Sequence, residues 1–230
     1  MKQVSVKAII LSRTDYGEAD RIITFLTPDQ GKVRAMAKGV RKAKSKLAGG
    51  IELFSISDIT YIEGKSELKT LVSTRLDKHF GDIVKDIDRT MLGYDMLKIL
   101  SRVLEDEGGP EFYDLLVQSL MALDDLSMPK DLAEASYLLQ LMRLLGHLPN
   151  FTHDIKGAEM TPNGHFQFSL DDMGFFESPT GPFTQNHIKL LRLLSHNPPA
   201  MLRQVEGLKE YLADVTPIVR NMARQYVIPF

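Results

Sequence analysis

The sequence predicts an α+β protein with more than one domain, in which an N-terminal β-barrel precedes a helical-bundle domain. Residues 1–80 form β-branched, partly alternating segments of strand length, whereas apolar residues beyond residue 80 recur at intervals of three and four. The charge changes at the same place: residues 1–80 carry 15 Lys and Arg against 9 Asp and Glu, and the remainder carries 13 against 21. A basic β half of this kind is typical of polyanion-binding domains.

Five short strands are predicted in the basic half. The clearest turn between them is Thr27-Pro28-Asp29-Gln30-Gly31, because proline fits the second position of a type I turn and glycine accepts the left-handed conformation that closes it. Five short strands with glycine-bearing turns favour the oligonucleotide-binding (OB) fold. The predicted strands cover residues 4–11, 21–26, 32–37, 53–63 and 68–74.

The second half is predicted to be mainly helical. The first helix begins after His79, with apolar residues at Ile83, Ile87, Met91, Tyr94 and Leu97, and a second follows over residues 112–123. A third runs from Pro129 to about residue 145, and two more occupy residues 187–196 and 200–227. Residues 148–186 form an irregular segment in which 165–168 and 174–176 are candidate short strands. We therefore expect domains at residues 1–79 and 80–230.

Composition excludes several classes of protein. The chain contains no cysteine, which excludes disulfides, thiolate nucleophiles and cysteine-ligated zinc. Its N-terminal residues do not form a secretory signal, and no apolar run approaches the roughly 18 residues of a membrane span. We expect a cytoplasmic protein.

The strongest functional signal is a run of seven cations without an intervening acid. Its first members share one parity on the third predicted strand and so point to one face, and the later members fall in a flexible loop before Gly49-Gly50. Such closely spaced like charges repel each other, and a bound polyanion relieves the repulsion. The alternative is a solvated basic loop with no ligand. The seven cations are Lys32, Arg34, Lys38, Arg41, Lys42, Lys44 and Lys46.

Aromatic residues near these cations are candidates for stacking on nucleobases. Phe25 and Phe54 lie in apolar runs and are predicted to belong to the core, and Tyr61 is a further candidate. Tyr16 lies in a polar turn and is the better candidate. If four or five cations meet phosphates, the logarithm of affinity for single strands falls against the logarithm of salt concentration with a slope of about −3.

Signals for catalysis are weak. Gly64-Lys65-Ser66 resembles the end of a phosphate-binding loop, but Ile59 stands where that motif needs glycine, so we interpret it as a hairpin turn. The spacing of His147, His153 and His165 fits no compact metal site. The acid pairs 124–125 and 171–172 are typical of helix ends and turns. The sequence therefore predicts a protein that is not an enzyme and has no metal, cofactor or small-molecule substrate.

Several short motifs lie within residues 4–75: Gly-Glu-Ala-Asp-Arg at residues 17–21, Thr27 followed by Gly31-Lys32, and Ala37-Lys38-Gly39 followed by Arg41, Ser45 and Leu47. In their order and spacing these motifs resemble the RecO family of bacterial recombination mediators. The resemblance implies an OB-fold barrel before a helical domain, binding of single- and double-stranded DNA, and annealing of complementary strands. It also implies cooperation with RecR and with single-stranded DNA-binding protein in loading RecA, and hence association with the nucleoid. The candidate DNA-binding residues are the seven cations together with Arg13, Tyr16 and Arg21.

The chain departs from this family in its irregular segment. Many members carry a four-cysteine zinc site there, whereas residues 152–179 contain no cysteine. We therefore expect an insertion without zinc, packed around Phe166, Phe168, Phe175 and Phe176. Two other functions remain open: a generic single-stranded nucleic-acid module, for RNA or DNA, and a metal-dependent nuclease.

Overall fold

The computed structural model describes residues 2–64, 66–104 and 108–227, which form two compact units. The first unit extends to Leu126 and the second begins at Ser127. The first two long helices therefore belong to the same compact unit as the β domain, although the last barrel strand ends at His79, where the predicted division lies. Lys65 and the apolar end of the chain, residues 228–230, lie outside the described residues.

The β domain is a closed five-stranded barrel with the strand order β1-β2-β3-β5-β4, and β4 pairs back to β1. β1 is long enough to serve two partners: its first half pairs with β4 and its second half with β2, with an irregularity between Ile10 and Ser12. The short parallel pairing of β3 with β5 completes the ring. This confirms the predicted fold class. The strands are β1 (Lys2–Tyr16), β2 (Asp20–Thr27), β3 (Gly31–Ala37), β4 (Ser55–Glu63) and β5 (Lys69–His79).

The barrel interior is filled by alternate residues of every strand. Phe25 and Tyr61 are fully buried, and their rings meet at a centroid distance of 5.9 Å, so the aromatic candidates in these strands are core residues. The Tyr61 hydroxyl has a hydrogen-bond partner, because it donates to the side chain of Gln30. Burial is the main reason that the pKa of Tyr61 is raised.

Two helices complete the first unit: α1 (Ile87–Val103) and α2 (Pro110–Asp124). The Asp86 side chain caps α1 by accepting from the backbone N–H of Arg89 at 3.0 Å. The Arg89 side chain is itself buried and donates to the backbone carbonyls of Leu123 and Asp125, at 2.8 and 3.1 Å. A guanidinium placed at the C-terminal end of α2 satisfies carbonyls that the helix leaves unpaired and matches the helix dipole.

The buried face of α1 differs from the face that its apolar period predicts. Ile87, Met91 and Tyr94 are exposed, while Gly93 is buried. A Cβ at Gly93 would lie 2.7 Å from Cε1 of Phe54, so only glycine fits against this ring. Phe54 has a left-handed φ of 56°, which is unusual for a residue with a side chain. Close approach to Phe54 places Gly93 on the buried side of α1, together with the apolar residues Met96, Leu97 and Leu100.

The second unit contains the remaining helices and a small three-stranded sheet of order β7-β6-β8. The segment predicted to be irregular is thus regular over its second half, where both candidate strands are confirmed. The elements are α3 (Lys130–Leu144), β6 (His165–Ser169), β7 (Gly174–Glu177), β8 (Phe183–Thr184), α4 (Gln185–His196), α5 (Pro199–Leu202) and α6 (Leu208–Tyr226). In the described part of the chain, no helix is both long enough and apolar enough to cross a membrane.

The single helix predicted over residues 200–227 is wrong. The structure has two helices there, and the break at residues 203–207 ends with Gly207 at a φ of 69°, a conformation in which a side chain is strained. The sequence pattern misses this break because apolar residues continue through it at helical spacing.

Phenylalanine rings pack the small sheet. Phe175 is fully buried, and its ring centroid lies 6.2 Å from that of Phe151, 4.9 Å from that of Phe168 and 5.6 Å from that of Phe183. Phe166 is also buried, whereas Phe176 points to the other face of β7 and is only half-buried. Edge-to-face aromatic packing of this kind stabilises the sheet beyond the area that it buries.

We expect Phe175→Ala to lower the free energy of unfolding by about 3–5 kcal/mol, because it opens a cavity at the centre of the aromatic cluster. The matched control Phe176→Ala removes the same side chain from the half-buried face and should cost about 1 kcal/mol. Urea denaturation of both variants measures the difference, and equal losses would show that the cluster does not hold the sheet.

Candidate nucleic-acid interface

Strand β3 has a cationic outer face. Lys32 is half-buried and Arg34 is exposed on the outside of the barrel, while the residues of opposite parity are buried. Lys38 is exposed one residue beyond the strand. The predicted parity is therefore what the barrel requires, since a closed barrel gives each strand one inner and one outer side.

The basic loop, residues 38–46, is anchored to the barrel. The backbone N–H of Gly39 donates to the Asp20 carboxylate at 2.6 Å, and that of Arg41 donates to the carbonyl of Ala19 at 2.9 Å. Gly39 has a φ of 64°, which turns the chain at this point. Val40 is buried in the barrel core. The loop therefore has a fixed base and is not the wholly flexible segment that its composition indicates.

Four lysines of the loop are exposed, and within the described residues none of the four makes an ion pair. Arg34 on β3 is likewise exposed and has no acidic partner among the residues that the structure describes. Cations in this state can neutralise phosphates without first breaking a protein contact. The four lysines are Lys38, Lys42, Lys44 and Lys46.

Three other candidate cations surround Asp15. Arg21 donates to the Asp15 carboxylate at 2.6 Å, and Arg41 lies 3.6 Å from it. The hydrogen bond from Arg21 is the main reason that the pKa of Asp15 is lowered, and the charges of Arg41 and Arg13 act in the same direction. Asp15 therefore stays ionised at neutral pH and offsets part of the charge of these arginines. Arg13 is further engaged by Glu52 at 2.7 Å.

Lys32 holds the end of helix α1. Its ammonium donates to the backbone carbonyls of Ser101 at 3.1 Å and Leu104 at 2.5 Å, which belong to the last turn of that helix. A cation at a helix C-terminus satisfies carbonyls that have no partner in the helix and interacts favourably with its dipole. Lys32 thus has a structural role that strand parity does not reveal.

A groove of about 540 Å³ lies beside β3. Its lining includes Lys32 and Arg34 from β3, Lys69 from the start of β5, and the acidic residue Glu67. Lys69 is paired with Ala35 in the parallel pairing that closes the barrel, and it contributes to the same groove as Lys32 and Arg34. Sequence analysis misses Lys69 because this pairing joins strands that are distant in sequence.

The aromatic candidates separate by burial. Tyr16 is 56% exposed at the end of β1, on the same hairpin as the Asp15 cluster, and stays a candidate for stacking. Phe25, Phe54 and Tyr61 are buried. Phe25 and Phe54 are thus core residues, as their apolar runs predict, and of the four candidates Tyr16 alone is exposed.

No cluster that fits a metal forms among the residues that the structure describes. Thr184, His187 and Asp214 form a hydrogen-bonded chain, with 2.9 Å from Thr184 Oγ1 to His187 Nδ1 and 3.0 Å from His187 Nε2 to Asp214. The backbone N–H of Thr184 also donates to His187 Nδ1, so the chain is the capping box of α4. Asp124 likewise has a structural role, because it accepts from the backbone N–H groups of residues 82 and 83.

We expect Lys32→Met to destabilise the first unit by about 1–3 kcal/mol, because partly buried carbonyls at the end of α1 lose a charged donor. Arg34→Met is the matched control on the same face and should change the free energy of unfolding by less than about 0.5 kcal/mol. Urea denaturation compares the two. A Lys32 variant as stable as the control would contradict the structural role.

We expect Asp15→Asn to raise affinity for a single-stranded oligonucleotide by roughly two- to fivefold at low salt. The reason is that the negative charge of Asp15 would no longer offset the positive charge of three nearby arginines. Fluorescence anisotropy measures the change. The control Asp114→Asn makes the same change of charge at an exposed position on α2 and should have little effect on this affinity. Since the pKa of Asp15 is lowered, the gain should persist at pH 5–8, where the carboxylate is charged, and disappear in strong acid.

The comparisons with known proteins agree with this architecture. Residues 1–80 match the family model described as "Recombination protein O N terminal", and residues 84–228 match the one described as "Recombination protein O C terminal". A protein of Desulfatibacillum aliphaticivorans named "DNA repair protein RecO" is 36% identical over 153 residues, which cover 65% of this chain and 59% of that protein. Because the two models together cover nearly the whole chain, the chain belongs to the RecO family.

Proposed function

We propose that the protein binds DNA without chemical turnover and acts as a recombination mediator in DNA repair. The observation that carries this proposal is a set of exposed cations that make no ion pair among the described residues: Arg34 on β3 and Lys38, Lys42, Lys44 and Lys46 in the basic loop. Family membership supports the role in recombination and repair. Phosphate contacts of this kind carry no sequence information, which suits a protein that acts on any damaged region.

Annealing of complementary strands is the activity that such a surface supports best. Two naked strands repel each other along their whole length, and this repulsion opposes their encounter. Neutralising phosphates on each strand lowers that barrier and releases counterions. The anchored base of the loop holds its cations on one side of the barrel, where they can act together.

The finer steps involve protein partners. We include in the proposal that the protein assists loading of RecA, together with RecR, on strands covered by single-stranded DNA-binding protein. Residues 81–230 have a net charge of −8, which suits contacts with basic surfaces of protein partners. A pull-down with purified RecR and single-stranded DNA-binding protein tests this part, and the absence of binding to either would remove it.

We expect replacement of Lys38, Lys42 and Lys44 by alanine to reduce the salt dependence of single-strand binding, with a slope smaller by about 2, and to slow annealing at least roughly tenfold. The matched control replaces Lys7, Arg75 and Lys85, which lie on the same unit but pair with Asp77, Asp58 and Asp82. A salt series of annealing rates and anisotropy titrations compares the two sets.

Three outcomes would contradict the proposal. Equal effects of the two triple variants would mean that total charge, and not the β3 face and basic loop, governs binding. A clear preference for RNA over DNA of the same sequence would favour a generic RNA-binding module, because RNA readers use the 2′-hydroxyl. Cleavage of labelled DNA in the presence of magnesium or manganese would instead favour the nuclease.

A further inference from the structure

A second groove in the first unit, between β1 and α1, has a mixed apolar and cationic lining. Its volume is about 400 Å³. Leu11 and Leu97 are buried and form part of its apolar surface, and Tyr94 adds an aromatic ring. Lys98 and Arg102 provide charge. We call it the β1–α1 groove.

The ring of Tyr94 is both exposed and supported. The residue is 44% exposed, and its ring centroid lies 5.1 Å from that of Phe54 in a tilted arrangement. Phe54 is buried and fixed against Gly93, so the supporting ring has little freedom to move. A ring held in place on one side loses little entropy when a second planar group stacks on it.

The cations of the groove lie on one side of α1. Lys98 and Arg102 are four residues apart and so project from the same face of the helix. Both are exposed, and in the described part of the chain neither makes an ion pair. Arg13, the third cation of the groove, is paired with Glu52. Two charges therefore remain available to an anionic ligand.

The groove is continuous with the candidate interface. Arg13 and Asp15 have the same parity on β1 and lie about 7 Å apart along the strand. Asp15 contacts Arg41, the first cation of the basic loop after Lys38. Lys32 holds the last turn of α1, next to the groove residue Arg102. A ligand that leaves the basic loop along β1 therefore meets the groove.

We propose that the β1–α1 groove binds an unpaired base of the same single strand that the basic loop holds, with the base stacked on Tyr94 and its phosphates near Lys98 and Arg102. The inference rests on the proposed function. A base within a duplex is stacked on its neighbours and cannot enter. The groove thus gives the protein a preference for single strands, which the phosphate contacts alone do not provide.

Tyr94→Leu removes the ring and keeps most of its volume. It should weaken binding of a single-stranded oligonucleotide about tenfold and leave duplex affinity within about twofold. Tyr94→Phe keeps the ring and should behave as the unaltered protein does. Tyr226→Leu, at a tyrosine that is 45% exposed in the second unit, is the matched control and should change neither affinity. Urea denaturation verifies that the variants are folded.

A fluorescent base analogue placed in the oligonucleotide reports stacking directly. Its emission would not depend on Tyr94 if that residue had only a structural role. Its emission should be quenched on binding to the unaltered protein and to Tyr94→Phe, and less so with Tyr94→Leu. Equal loss of single-strand and duplex affinity in Tyr94→Leu, or no loss of either, would overturn the inference. So would binding of an acidic peptide that depends on Tyr94 when oligonucleotide binding does not.

The two proposals fail in different ways. If the unaltered protein binds single strands without salt dependence, the proposed function fails. If it binds them with the expected salt dependence and Tyr94→Leu is indistinguishable from it, the proposed function stands and only the base-binding groove is rejected.

Discussion

The short parallel pairing of β3 with β5 closes the barrel, and most other features of the first unit depend on it. Closure gives every strand an inner side, filled by residues such as Phe25 and Tyr61, and an outer side from which charged groups can extend. The cationic side chains of β3 lie on this outer side, because the inner side is filled by buried residues. Lys69, from a distant part of the sequence, contributes to the same groove as these cations. A domain that opened at this seam would lose its core and its cationic face together.

Not every cation of this face is equally available to a ligand. Lys32 hydrogen-bonds to backbone carbonyls at the end of α1, and Arg21 and Arg13 form ion pairs with carboxylates. The four loop lysines make no such pair with any residue that the structure describes. The basic half therefore uses some of its charge to hold its own elements in position and presents the rest to solvent. The same use of cations recurs at the end of α2, where buried Arg89 binds three backbone carbonyls.

Local patterns predict the strands, their parity and the aromatic packing of the small sheet, because each depends on residues that are close in sequence. They do not predict which groups meet across the fold. The anchoring of the basic loop by Asp20, the contact of Lys32 with α1 and the position of Lys69 all join distant segments. The apolar period of α1 also predicts burial of Ile87, Met91 and Tyr94, which are exposed, because that period does not show that Gly93 packs against Phe54.

The contact between Phe54 and Gly93 also bears on how relatives of this chain can change. A larger residue at position 93 fits only if the ring at position 54 has already shrunk or moved, and the ring's unusual backbone conformation limits how far it can move. We therefore expect positions 54 and 93 to change together in evolution: relatives with a larger residue than glycine at position 93 should have a smaller residue than phenylalanine at position 54, just before β4. Because Phe54 also supports Tyr94, such a pair of changes would alter the outer surface of the molecule without any substitution there.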